Sequence, residues 1–105
     1  MDHPFAIECP THSKYPHTGS GTIQYIFCFR NGYGASIVPE YDFLGLELIP
    51  IPDEYELAVT NWSMEGGEYS YSLNYSTPIT SDVLRHQTKE QISELLHQIC
   101  RLERL

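Results

Sequence analysis

The stretch Tyr25-Ile-Phe-Cys-Phe-Arg-Asn-Gly-Tyr-Gly-Ala-Ser-Ile-Val38 decides the fold. Two runs rich in β-branched and aromatic residues flank Asn31-Gly32. A type I′ turn needs positive φ at both central residues, which Gly takes freely and Asn tolerates, so Asn-Gly between such runs marks a β-hairpin. A turn centred there sets Arg30 opposite Tyr33, Cys28 opposite Ala35 and Ile26 opposite Ile37. The other face then pairs Phe29 with Gly34, Phe27 with Ser36 and Tyr25 with Val38. One face is small and aliphatic, the other aromatic, and both need cover. Tyr33, set against Arg30, can stack on the guanidinium and is a candidate contact residue.

Downstream, residues 55–62 alternate Tyr55, Leu57 and Val59 against Glu56, Ala58 and Thr60. Residues 68–75 alternate Tyr69, Tyr71, Leu73 and Tyr75 against Glu68, Ser70, Ser72 and Asn74, the pattern of an antiparallel strand with one wet face. Residues 40–53 form a long connection whose apolar content exceeds that of a free linker. It either adds an edge strand near residues 46–49 or folds over the aromatic face of the hairpin. Thr88-Lys-Glu-Gln91 has the form of a capping box. Ile92, Leu95, Leu96, Ile99 and Leu102 then recur at helical spacing, and their stripe is expected on the small face made by Ile26, Cys28, Ala35 and Ile37. Upstream, Pro4, Pro10, Pro16, Gly19 and Gly21 break any period. The expected fold is α+β: an irregular arm over residues 1–21, then one domain over 22–105. In that domain an antiparallel sheet of about four strands carries a C-terminal amphipathic helix on one face.

The chain of 105 residues can bury a modest core without a metal or disulfide. Its three cysteines, Cys9, Cys28 and Cys100, are odd in number and widely spaced, which fits free thiols. No apolar run is long enough to span a bilayer and the first residues do not begin a secretory signal, so a cytoplasmic protein is expected. Cys9, His12 and His17, with His3, have zinc-ligand chemistry, but no second tight ligand pair accompanies them, and no metal or cofactor is expected. Catalytic signatures are missing: no nucleophile elbow, no phosphate-binding Gly-rich loop, no His-Glu-x-x-His. Cys28 with His86 or His97 makes a poor nucleophile pair, because a thiol inside an apolar strand has its pKa raised. Asp53-Glu54-x-Glu56 has hard-cation chemistry, yet adjacent carboxylates at a strand start ordinarily face water. A non-catalytic protein is expected.

Net charge is −8, and between Asn31 and Leu84 there is no Lys or Arg while nine acids occur. Direct binding to nucleic acid through that stretch is excluded, since such affinity comes from Lys and Arg displacing counterions. A basic protein or nucleoprotein partner is expected instead, steered by the field and anchored by aromatic residues. The candidate partner-binding set is Tyr33, Glu40, Tyr41, Asp42, Phe43, Glu47, Asp53, Glu54, Glu56, Glu65 and Glu68.

Four blocks carry a family likeness: Phe29-Arg-Asn-Gly-Tyr-Gly-Ala-Ser-Ile-Val38, Tyr55-Glu-Leu-Ala-Val59, Tyr75-Ser-Thr-Pro-Ile-Thr-Ser-Asp-Val83 and the Thr-initiated helix. Over roughly residues 25–102 the chain resembles a family of small bacteriophage and prophage proteins, departing from it in the arm and in residues 40–53. The resemblance implies a phage origin and a compact α+β fold and brings no known activity. In that setting the acidic stretch suggests an anti-CRISPR-like inhibitor that presents carboxylates where phosphates would sit on a host nucleic-acid-handling or defence complex. The competing expectations are an assembly protein that forms a homodimer through an apolar sheet face or the residue 69 strand edge, and a small enzyme or zinc protein using the Cys/His arm.

Overall fold

The computed structural model describes residues 5–7, 11–14, 24–44 and 47–104; for residues 11–14, 43–44, 48, 65 and 68–69 it describes the backbone alone. The fold is α+β. The strands are β1 (Thr11–Lys14), β2 (Tyr25–Phe29), β3 (Tyr33–Leu44), β4 (Glu47–Glu65), β5 (Glu68–Leu73) and β6 (Leu84–Gln87), followed by helix α1 (Lys89–Cys100). They form one antiparallel sheet in the order β1-β2-β3-β4-β5. β6 joins the outer edge of β4 where β5 leaves it: β5 pairs residues 60–65, and β6 pairs Tyr55 and Leu57.

The hairpin forms, but one residue out of the expected register. Cys28 lies opposite Gly34, Phe27 opposite Ala35 and Tyr25 opposite Ile37. The two-residue type I′ turn is replaced by a reversal one residue longer: the Gly32 N–H donates to the Phe29 carbonyl at 3.1 Å, and Gly32 alone takes positive φ there, at 90°. A three-residue connection ending in a left-handed Gly shifts one strand by one position, and a shift of one exchanges its faces. Arg30 and Tyr33 are therefore not the cross-strand pair expected. Tyr33 is half-buried and packs on the core.

The slip decides what the helix covers. Phe27, Phe29, Ala35 and Ile37 now share a face with Leu57 and Val59, and Ile92, Leu96 and Ile99 of α1 close over them, all essentially without exposure. The helix thus packs on the phenylalanine side of the hairpin, not on a face containing Ile26 and Cys28. Each buried aliphatic or aromatic side chain contributes about 1.5–3 kcal/mol, so this layer dominates the stability. Phe5 completes it, meeting Tyr25 and Tyr55 edge-on at 5.4 and 5.0 Å. Residues 5 and 11–14 thus belong to the body, in a stretch that composition marks as irregular.

The helix starts where the sequence says it should. Thr88 Oγ1 accepts from the Gln91 N–H at 3.2 Å, and the Thr88 N–H donates to Gln91 Oε1 at 2.8 Å. Its other end is held from a distance, because Asn31 Nδ2 donates to the carbonyls of Ile99 and Leu102 at 2.9 and 3.0 Å. Asn31 Oδ1 also accepts from the Tyr33 N–H at 3.0 Å. One buried amide thus ties the hairpin turn to the carbonyls at the helix end, where the Ile99 oxygen also accepts from the Leu102 N–H. Cys100 is disulfide-bonded, which corrects the expectation of three free thiols; Cys28 is a buried thiol. No helix is long and apolar enough to cross a membrane among the described residues.

Residues 40–44 and 47–53 are strand. β3 runs on to Leu44 and returns in β4 from Glu47, pairing Tyr41 with Pro50 and Leu44 with Glu47. The register breaks between Pro39 and Tyr41, where Glu40 alone stands against Ile51, Pro52, Asp53 and Glu54. Pro52 sits in this irregularity, which tolerates a missing donor, and Pro50 pairs with Tyr41 at its edge.

Candidate functional site

Four of the acids expected on a free surface are instead engaged at this irregularity. Glu40 is 2% exposed, and Arg85 of β6 forks onto it, Nη2 to Oε2 at 3.0 Å and Nε to Oε1 at 3.3 Å. The hydrogen bond from Arg85 holds the Glu40 carboxyl below the usual carboxylate range, against the opposing effect of burial. Glu56 lies beside it, with Arg85 Nε 3.9 Å away. Burial, then the charge of Glu40, pushes Glu56 up, so it holds a proton more readily than its neighbour. His86 Nδ1 lies 2.8 Å from Glu54 Oε1 and 3.9 Å from Glu40 Oε2. Asp53 Oδ1 accepts from the Lys89 N–H at 3.1 Å, at the positive end of the helix dipole. Asp53 and His86 are the non-Gly residues with positive φ among those described, both at 56°. Backbone held there is strained and persists where its surroundings over-determine it. Both strained residues belong to this cluster.

Glu40 is thus removed from the candidate partner surface, buried by the bulge and neutralised by Arg85. Asp53, Glu54 and Glu56 are drawn into internal pairs. Asp42 and Glu47 are exposed on the β3–β4 ribbon, with Tyr41 half-buried beside them. The side chains of Phe43, Glu65 and Glu68 lie outside the described residues, as do those of Cys9, His12 and His17. Among the described residues no group of His, Cys, Asp and Glu is placed to hold a metal ion.

The ribbon runs past the sheet. The last β2–β3 pair is Tyr25 with Ile37, and β6 reaches β4 no further than Tyr55, so residues 41–44 and 47–50 pair only with each other among the described residues. The molecule measures 44 × 29 × 27 Å. Ile49 is 39% exposed and Pro50 and Pro52 are also exposed. With Asp42 and Ile51 they line a cleft of about 290 Å³.

A second concavity occupies the sheet face away from the helix. Ser36, Val38, Glu56 and Ala58 form its floor, Tyr71 and Leu73 of β5 and Val83 its wall, and Gln24 its far rim, around a volume of about 320 Å³. Gln24 Nε2 donates to Ser36 Oγ at 2.8 Å and to Tyr71 OH at 3.1 Å. A bond from the start of β2 to β5, with β3 and β4 between them in the sheet, requires the sheet to curl. The strand expected to have one buried tyrosine face is open there: Tyr71, Leu73 and Tyr75 are 40–49% exposed. The sequence marked Glu56 in this hollow but not Gln24, Ser36 or Val83, because only the curl of the sheet brings them together.

No family model, no curated protein and no solved structure matches the chain.

Proposed function

We propose that this is a non-catalytic binding protein that docks the β3–β4 ribbon on a basic site of a protein partner. The observation that carries it is the ribbon itself. It extends beyond the sheet with Asp42, Glu47, Ile49 and Pro50 exposed, in a stretch without Lys or Arg from Asn31 to Leu84. An excess of carboxylates gives a field that speeds encounter with a positive surface, and apolar side chains at the contact supply the short-range energy. The likeness to small phage proteins directs the proposal to a host nucleic-acid-handling or defence complex, where an anti-CRISPR-like inhibitor would occupy a groove built for phosphate.

The test is capture from bacterial lysate at low and high salt by the wild-type chain, by Asp42→Asn/Glu47→Gln and by a helix control, Glu90→Gln/Glu94→Gln. A basic protein held at low salt, released at high salt, lost with the ribbon variant and kept by the control supports the proposal. Capture unaffected by the ribbon variant refutes it.

A further inference from the structure

β5 ends the sheet on one side, and its register shows which of its backbone groups are uncommitted. Gly66 and Gly67, both at positive φ, make the two-residue turn that sets Glu65 opposite Glu68. Backbone groups alternate direction along a strand, and the Asn74 N–H donates inward to the Val59 carbonyl at 2.8 Å. Ser70 and Ser72 therefore turn their N–H and C=O groups to β4, while Tyr69, Tyr71 and Leu73 turn theirs outward. Among the described residues no strand takes up that edge, and Ser70, Tyr71, Ser72 and Leu73 are all exposed.

Natural sheet edges are guarded against association by charge, proline or a bulge. β5 has neither proline nor bulge, and its one charged residue, Glu68, stands at its first position. Beyond it, residues 69–81 contain no Asp, Glu, Lys, Arg or His in a chain of net charge −8. Ile49 apart, the large apolar side chains exposed among the described residues are Met64, Tyr71, Leu73 and Tyr75, at 40–52%. Met64, Tyr71 and Leu73 share one face of the β4–β5 pair. An uncharged, partly apolar strip of this kind marks a contact surface.

The register selects the occupant. A basic partner is drawn to carboxylates, which this strip lacks, whereas the strip complements itself. Laid antiparallel about a two-fold axis at Tyr71, it sets Tyr71 against Tyr71, Tyr69 against Leu73, Ser70 against Ser72 and Glu68 against Asn74 of the second copy. The outward N–H groups of one strand then meet the outward carbonyls of the other, and no acid faces an acid. α1 packs on β3, β4 and β6, so the helices of the two copies stand clear of the join.

We infer that the chain forms a symmetric dimer by pairing the edge of β5 with β5 of a second copy. This surface is separate from the β3–β4 ribbon and stands whether or not the ribbon has a partner.

The experiment is sedimentation velocity of the full chain from about 10 μM to about 1 mM, since one strand edge is smaller than a standard interface. It is run at low and high salt, with amide hydrogen exchange followed over the same range. The mass should rise twofold with concentration, and more readily at high salt, because two chains of charge −8 repel. Exchange should slow severalfold at Tyr69, Tyr71 and Leu73 as the dimer forms and stay constant at Ser70 and Ser72. Ser70→Lys/Ser72→Lys and Ser70→Glu/Ser72→Glu should each remain monomeric, because like charges then face each other, and should pair when mixed. A wild type that stays monomeric throughout, a dimer that salt weakens, or protection confined to other amides overturns the inference. So does a Lys variant that dimerises like the wild type, or a mixture that associates no better than its parts. The first three outcomes are read on the wild-type chain, so they hold even if a variant fails to fold.

Discussion

The side-chain amide of Asn31 donates to the carbonyl of Ile99, 68 residues away, across 2.9 Å. The same nitrogen reaches the Leu102 carbonyl, so a turn residue acts as the cap of a helix that begins at Lys89, far along the chain. Turn chemistry and helix termination are therefore one interaction.

Replacing Asn31 with Ala leaves these buried carbonyls without their donor and lowers stability by about 2–3 kcal/mol. Asn31→Asp keeps the shape but sets a carboxylate against carbonyl oxygens at the negative end of the helix dipole, so it is the more damaging of the two. Urea unfolding of both variants checks the order. Equal losses would mean that shape, not the donor, matters.

Gly34 is required for a different reason. A Cβ there would run into the Phe27 carbonyl and lie 2.8 Å from Thr60 Oγ1, a buried hydroxyl with no hydrogen-bond partner. Gly34→Ala is expected to cost about 2–3 kcal/mol through forced backbone shifts. Gly66→Ala, in open space at a φ of 58°, is expected to cost about 1–2 kcal/mol through backbone conformation alone. Thermal melts of the two variants separate crowding from strain.

Around Glu40 the two partners are not equivalent. Arg85→Met strands a buried carboxylate and should lower the melting temperature by about 5–10 °C. Glu40→Gln frees an Arg85 whose side chain is 62% exposed and can rehydrate, so the fall is smaller. The pH dependence has a definite sign. Glu40 is depressed in the folded state, so its stabilisation is complete above the ordinary carboxylate range and fades as the pH falls through it; Glu40→Gln should flatten that acid limb. Glu56 is raised, so its contribution runs oppositely, present at low pH and lost as the pH rises. Glu56→Gln is therefore expected to hold stability better than wild type around neutral pH. Denaturation midpoints across an acid-to-neutral series test both.

Cys100 being disulfide-bonded makes stability redox-dependent. A reductant is expected to lower the unfolding free energy of the wild type by about 2–4 kcal/mol and to leave Cys100→Ser unchanged. A wild type indifferent to reductant would sink this. Such bonds persist in oxidising surroundings, which sets the bond against the cytoplasmic expectation drawn from the lack of a long apolar run and of a secretory signal.

Local signals were legible and non-local ones were not. The Thr88–Gln91 capping box lies within four residues and forms as written. Asn31-Gly32 announces a reversal, but the Asn31 side chain serves the turn through Oδ1 and the distant helix end through Nδ2. The second contact goes with the register that sets which hairpin face the helix covers, and no pattern in residues 25–38 contains it. For residues 40–53 the pattern left an edge strand and a folded-over loop both open, and the chain pairs Pro50 with Tyr41 by leaving Glu40 against four residues. The same irregularity buries Glu40, so the acids could not be sorted into free and engaged from spacing. Gln24, Ser36 and Val83 carry no common signature, since only sheet curvature makes them neighbours.

The division of β4's outer edge has a consequence for synthesis. While β1 to β5 are being made on the ribosome, Tyr55 and Leu57 offer unclaimed backbone amides and carbonyls, which stay so until Leu84–Gln87 emerges to seal them. A nascent or truncated polypeptide stopping before Leu84 also lacks the α1 lid over Phe27 and Phe29. Such a fragment would present a ready template for intermolecular strand addition, and chaperone dependence should end abruptly once β6 and α1 leave the exit tunnel.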